Sequence, residues 1–162
     1  MLPAHAQTTT ISDCSLRLSG CTLTCETESG TGQFPGYYME YTVYTLEVVN
    51  GCPVVARRQP SCCEYDGGFF SLDPGPNQVL IACIKATYEQ AATFAEVSVT
   101  LPNQSEPYAR GRAECGTLLG QTTGGGTNST TFSVDGVPMR IRTTISVGAG
   151  MVSLDQVSVT PA

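Results

Sequence analysis

Residues 131–147 read Thr-Phe-Ser-Val-Asp-Gly-Val-Pro-Met-Arg-Ile-Arg-Thr-Thr-Ile-Ser-Val. Two runs of alternating polar and apolar residues flank Asp135-Gly136. That dipeptide favours the type I′ turn, whose twist matches that of paired strands, so the stretch predicts a β-hairpin. On the second strand Val137, Met139, Ile141, Ile145 and Val147 share one face, while Arg140, Arg142, Thr144 and Ser146 share the other. Pro138 has no N–H for a ladder and is expected to face outward from an edge.

Working outward, the same period-two pattern recurs. Val152 to Thr160 closes the chain, and its apolar phase slips between Leu154 and Val157, which predicts a bulge at Asp155-Gln156. Tyr37 to Val49 is rich in aromatic and β-branched residues and ends on the turn signal Asn50-Gly51. Gln78 to Tyr88 is a continuous apolar run, as expected of a central strand buried on both faces. Ser15–Leu18, Thr22–Cys25, Pro53–Arg58, the alternation through Val97, Val99 and Leu101, and Arg110–Leu119 supply further short strands. Residues 26–36 and 60–76 read as loops, and 120–131 as a low-complexity linker. Helical periodicity is almost absent. About ten short strands with frequent turns predict an all-β fold, a β-sandwich of jelly-roll type.

Residues 1–12 lack periodicity and read as a flexible N-terminal arm, with a single sandwich domain over 13–162. Glu96–Thr100 and Gln156–Thr160 echo one another, which raises a division into two β-halves with a boundary near 102–109. The closing Ser153–Thr160 resembles the last strand of many carbohydrate-binding jelly rolls, a likeness confined to that strand.

The chain has 162 residues, enough for one domain with a real core. Its net charge is −6, and only 14% of residues are charged. An acidic chain of low charge lacks the basic footprint of nucleic-acid binding and gives no attraction to an anionic membrane. No apolar stretch approaches the roughly 18 residues of a membrane span. The opening Met1–Gln7 ends in Ala-His-Ala but shows neither the charged nor the apolar region of an export leader. Either a leader has been removed, or the protein is made inside a cell and works outside it, as virion components do.

Eight cysteines strengthen that expectation: Cys14, Cys21, Cys25, Cys52, Cys62, Cys63, Cys83 and Cys115. Their spacings match neither the zinc knuckle nor the iron–sulfur run. Disulfides in an oxidising compartment are the expected use. A bond between the neighbours Cys62 and Cys63 would close a strained ring, so each is expected to pair elsewhere. Cys83, inside the apolar run, is the candidate for a plain buried thiol.

Catalysis finds little support. His5 is the only histidine, and it sits in the arm, so His-based nucleophilic devices lack a positioned base. The acidic pairs Glu64/Asp66 and Glu26/Glu28 sit in loops or at strand ends, where solvation explains them. Calcium is the only cation the loops suggest, near Asp66 and Asp73, and no Asp-x-Asp-x-Asp-Gly loop backs it. The expectation is therefore a non-enzyme without cofactor.

Tyr37, Tyr38, Tyr41 and Tyr44 crowd one strand and are interface candidates, because tyrosine combines an apolar ring with a polar tip. Arg140-x-Arg142 and Arg110-x-Arg112 each put two arginines on one strand face, where carboxylates within or between subunits would pair with them. Asn103-Gln104-Ser105 and Asn128-Ser129-Thr130 match the glycosylation acceptor pattern. The leading functional expectation is a structural or interaction protein of an extracellular assembly. Its most specific form is a virion surface component, such as a decoration, cement or fibre-associated subunit, partnered by copies of itself or by a shell protein. A secreted carbohydrate- or protein-binding module is the alternative, with a glycan or another protein as partner. A thiol-ligated metal domain ranks third.

Overall fold

The computed structural model describes residues 8–33, 37–64, 73–86, 93–104, 106–115, 122–123, 125–148 and 151–162; side chains are described over 15–25, 41–60, 73–83, 96–104, 106–112, 125–148 and 152–162. Eleven strands are found among the described residues: β1 (Thr8–Ser19), β2 (Thr22–Gln33), β3 (Tyr37–Val49), β4 (Cys52–Glu64), β5 (Gln78–Ala86), β6 (Thr93–Thr100), β7 (Ala109–Cys115), β8 (Thr122–Thr123), β9 (Gly126–Val134), β10 (Val137–Gly148) and β11 (Met151–Pro161). They form two sheets. Sheet A has the order β1-β2-β11-β10-β9, and sheet B the order β4-β3-β5-β6-β7-β8. The fold is an all-β sandwich, as its binary pattern predicts.

The pairings are antiparallel except one. The first part of β1 runs parallel to β11 at Thr10↔Met151 to Ser12↔Ser153, while β2 meets the end of β11 at Thr24↔Ser158 and Leu23↔Val159. The β1–β2 ribbon therefore straddles β11. Because β2 and β11 are hydrogen-bonded neighbours, a cut at 102–109 would separate paired strands. Sheet A takes its strands from both ends of the chain, and sheet B from the middle.

The inner faces follow the alternation. Met139, Ile141, Thr143 and Ile145 of β10, Val152, Leu154, Val157 and Val159 of β11, and Leu23 of β2 are buried from sheet A. Tyr44, Leu46, Val79, Ile81, Cys83, Val97 and Val99 are buried from sheet B. Each fully buried aliphatic side chain contributes about 1.5–3 kcal/mol by leaving water. The echoing segments lie in β6 and β11, and both place their valines in this core. The demand for inward β-branched residues explains that similarity.

Leu80, Ala82, Glu96, Ser98 and Thr100, on the outer face of sheet B, are also buried. The apolar run of β5 is thus covered on both sides, as its unbroken hydrophobicity implies. At Gly111 of β7 the facing sheet leaves no room for a side chain: a Cβ built there would lie 2.1 Å from Ile145 Cγ2.

The turns behave as their residues dictate. Asp135 and Gly136 both have positive φ (50° and 76°), as do Asn50 and Gly51 (51° and 78°), which is the type I′ signature. The bulge also falls where the phase slip puts it: Thr144 pairs with Gln156 but Ile145 with Leu154, leaving Asp155 as the extra residue. Pro138 differs from expectation, since β10 is an interior strand. It is tolerated because its carbonyl accepts from Ala162 N at the end of the β11 pairing, so its missing N–H falls at the margin of that ladder.

Several strands outrun their local propensity. β2 continues to Gln33 through residues read as a loop, β4 reaches Glu64, and β9 begins at Gly126 within the low-complexity stretch. β1 begins at Thr8, inside the segment read as an arm over 1–12; residues 1–7 lie outside the described residues. In each case a paired neighbour supplies the ladder that composition alone does not announce.

Candidate loop-end cleft and edge strand

One end of the sandwich gathers the described tight turns. The β1–β2 turn at Gly20-Cys21, the β3–β4 turn at Asn50-Gly51, the β9–β10 turn at Asp135-Gly136 and the segments 74–77 and 101–108 all lie there, because strands β3, β6 and β9 end where β4, β7 and β10 begin. A disulfide between Cys21 and Cys52 joins the first two turns, and so joins sheet A to sheet B. Asp135 ties in the third. Its carboxylate accepts from Asn77 Nδ2 at 2.8 Å and from Val48 N at 3.3 Å, and its own N–H donates to Asn77 Oδ1 at 2.9 Å.

Beside this framework opens a cleft of about 470 Å³. Pro74, Pro76 and Pro102 wall it with pyrrolidine rings, joined by the half-buried ring of Phe132. Asn103, Gln104, Thr131 and Ser133 supply neutral donors and acceptors. Asn103 is held in the left-handed region at φ 63°, which asparagine tolerates well. Among the described residues no ionised side chain lines the cleft. Asp135, next to it, has both carboxylate oxygens engaged.

The predicted interface residues are dispersed. Tyr44 lies on the inner face at 1% exposure, and its hydroxyl accepts from Leu16 N at 3.4 Å. Burial between the sheets therefore makes Tyr44 a core residue rather than a contact residue. Tyr41 is half-buried on the outer face of sheet B, in register with Ala82. The side chains of Tyr37 and Tyr38 lie outside the described ones. Arg140 and Arg142 are exposed on the outer face of sheet A, with Arg140 Nη1 donating to Ser129 Oγ at 3.3 Å. Tyr41 and these arginines lie on the outer faces of different sheets and form no common patch.

The second arginine pair does find its carboxylate. Arg110 Nε lies 3.3 Å from Glu96 Oε1 on the outer face of sheet B. Burial pushes the Glu96 carboxyl above its ordinary range, and the charges of Arg110 and Arg112 only partly oppose that. Tyr108, whose hydroxyl donates to Ile141 O at 3.4 Å, is likewise raised by burial, with Arg140 acting in the opposite sense.

Of the cysteines, Cys21 and Cys52 are bonded to each other and Cys25 is also in a disulfide. Cys83 keeps its thiol and is buried, as its place in the apolar run predicts. The side chains of Cys14, Cys62, Cys63 and Cys115 lie outside the described ones. Asp73 is exposed, Asp66 is outside the described residues, and no group of His, Cys, Asp or Glu among the described residues is arranged to hold a metal.

Sequence reading passed over the cleft. Its only signal was the density of turn formers, Pro74-Gly75-Pro76-Asn77 and Pro102-Asn103, which mark loops without saying that two of them meet. No helix of the described residues is long and apolar enough to cross a membrane. A disulfide fits an oxidising, extracellular setting. Comparison with protein-family models, with curated proteins and with solved structures finds no match.

Proposed function

We propose that the chain is a non-catalytic interaction subunit of an extracellular assembly, in its most specific form a surface component of a virus particle. One observation carries the reading: the Cys21–Cys52 bond couples turns of the two sheets at the end where an uncharged cleft adjoins β9, which is the edge strand of its sheet among the described residues. Such a clamp holds a contact surface in one conformation before a partner arrives, which lowers the ordering cost of association. It also suits a protein that must persist where no reductant or chaperone maintains it.

The test is direct. Native-source material should be alkylated without reduction, weighed intact, and examined for association with the purified particle or shell. The reading expects the Cys21–Cys52 bond to be oxidised and the chain to bind its assembly at micromolar concentration or better. Fully alkylated cysteines, or a chain that never enters an assembly, would overturn it.

A further inference from the structure

The edge of sheet A beside the cleft carries the strongest additional inference. Among the described residues β9 is paired only with β10, through Val134↔Val137 to Gly126↔Ile145. The direction of its other backbone groups follows from one bond. Pro138 O accepts from Ala162 N and so points toward β11. In an antiparallel ladder, opposite residues either exchange both bonds or turn both sets of groups away from each other. Ser133, opposite Pro138, therefore turns its N–H and C=O away from β10, and by alternation so do Thr131, Ser129 and Thr127. All four residues are exposed. Among the described residues they present a row of unpaired groups repeating about every 6.8 Å, the two-residue rise of an extended chain. Thr131 and Ser133, at the end of the row, are also walls of the cleft.

We infer that β9 and the adjoining cleft take an extended, uncharged segment of a partner protein as an added strand, pairing at Thr131 and Ser133. This rests on the interaction-subunit reading and names its site. The added strand makes main-chain hydrogen bonds to the edge, and pockets beside the edge read alternate side chains. Here the cleft is that pocket: the rings of Pro74, Pro76, Pro102 and Phe132 accept a small apolar side chain, and the Asn103 and Gln104 amides meet main-chain or hydroxyl groups. A charged side chain would lose hydration in a cleft whose described lining offers no counter-ion. The strand repeat of the unpaired groups favours a peptide over a saccharide, whose hydroxyls keep no such spacing.

The probe is a displayed library of short uncharged Thr/Val/Ser/Pro peptides selected on the full chain, run beside an array of neutral glycans. Amide exchange on the wild-type chain is the primary readout. Thr131 and Ser133 N–H should exchange fast in the free protein and become protected with a selected peptide, whereas Phe132 N–H, turned toward β10, is protected throughout. Thr131→Pro removes one outward N–H without touching the β9–β10 ladder, and should weaken peptide binding about tenfold, the worth of one good hydrogen bond. Thr131→Ala keeps the outward N–H and should weaken binding less than Thr131→Pro does. Selected peptides that leave Thr131 and Ser133 unprotected, a Thr131→Pro variant that folds and binds normally, or neutral-glycan binding with no peptide selected would each overturn the inference. If Thr131→Pro fails to fold, the exchange result on the wild-type chain decides. A chain that still associates with its particle after such a failure keeps the broader reading intact.

Discussion

Asn77 and Asp135, 58 residues apart, hold each other by two reciprocal hydrogen bonds, and both adopt left-handed backbone conformations. The pair fixes the segment entering β5 to the β9–β10 turn, and the Asp135 carboxylate extends the link to Val48 N in β3. One side chain thus connects three segments at the cleft end.

Asp135→Ala removes both acceptor oxygens and puts alanine at a φ of 50°, where a Cβ without a compensating polar group is disfavoured. It should cost about 2 kcal/mol in a urea titration. Asp135→Asn keeps the turn chemistry and one carbonyl acceptor, and should cost less than half as much. Equal losses for the two variants would show that the pair of carboxylate acceptors, rather than the turn conformation, carries the stability.

The Cys21–Cys52 bond closes a sequence separation of 31 residues. Constraining the unfolded chain by a loop of that size is worth about 3–4 kcal/mol in the loop-entropy account. The double substitution Cys21→Ser with Cys52→Ser should lower stability by up to that amount and leave the strand content seen by circular dichroism unchanged. A loss well under 1 kcal/mol would mean that the clamp constrains little.

How much of this was legible beforehand divides along one physical line. Period-two alternation, type I′ dipeptides and the phase slip at Asp155 are local, so the Asp135-Gly136 hairpin, the bulge, the doubly buried β5 and the buried Cys83 thiol could all be read from neighbours in the chain. The Tyr44 ring was ambiguous because period two says which residues share a face but not which face turns inward. The length of β2 depended on its pairing with β1, and the cleft on the meeting of segments 74–77, 101–104 and 131–136. Those are long-range relations, and they leave no signature in any one window of sequence.

Glu96 supplies a test by pH. Its carboxyl is raised from 4.5 because burial disfavours the charge more than Arg110 and Arg112 favour it. The folded state therefore holds this proton more tightly than the unfolded state does. The contribution to stability is fully present below about pH 4.5 and is lost as pH rises through the folded value. Glu96→Gln should flatten that part of the stability profile, measured by denaturant titration from acid to neutral pH. An unchanged slope would show that Glu96 is solvated well enough to titrate normally.

Thr143 gives the last prediction. It lies on the inner face of β10, fully buried, and its Oγ1 has no hydrogen-bond partner. A hydroxyl taken out of water without a partner costs about 1–3 kcal/mol on mutational scales. Thr143→Val has nearly the same shape and no polar atom, so it should raise stability by about 1 kcal/mol. Thr143→Ser keeps the hydroxyl and removes a methyl, and should lower stability by about the same amount. Val157, its partner across the β10–β11 ladder, is equally buried and apolar, so nothing at that position favours a hydroxyl. A Thr143→Val protein that unfolds earlier in urea than the wild type would show that the oxygen is satisfied in solution, by a water enclosed between the sheets.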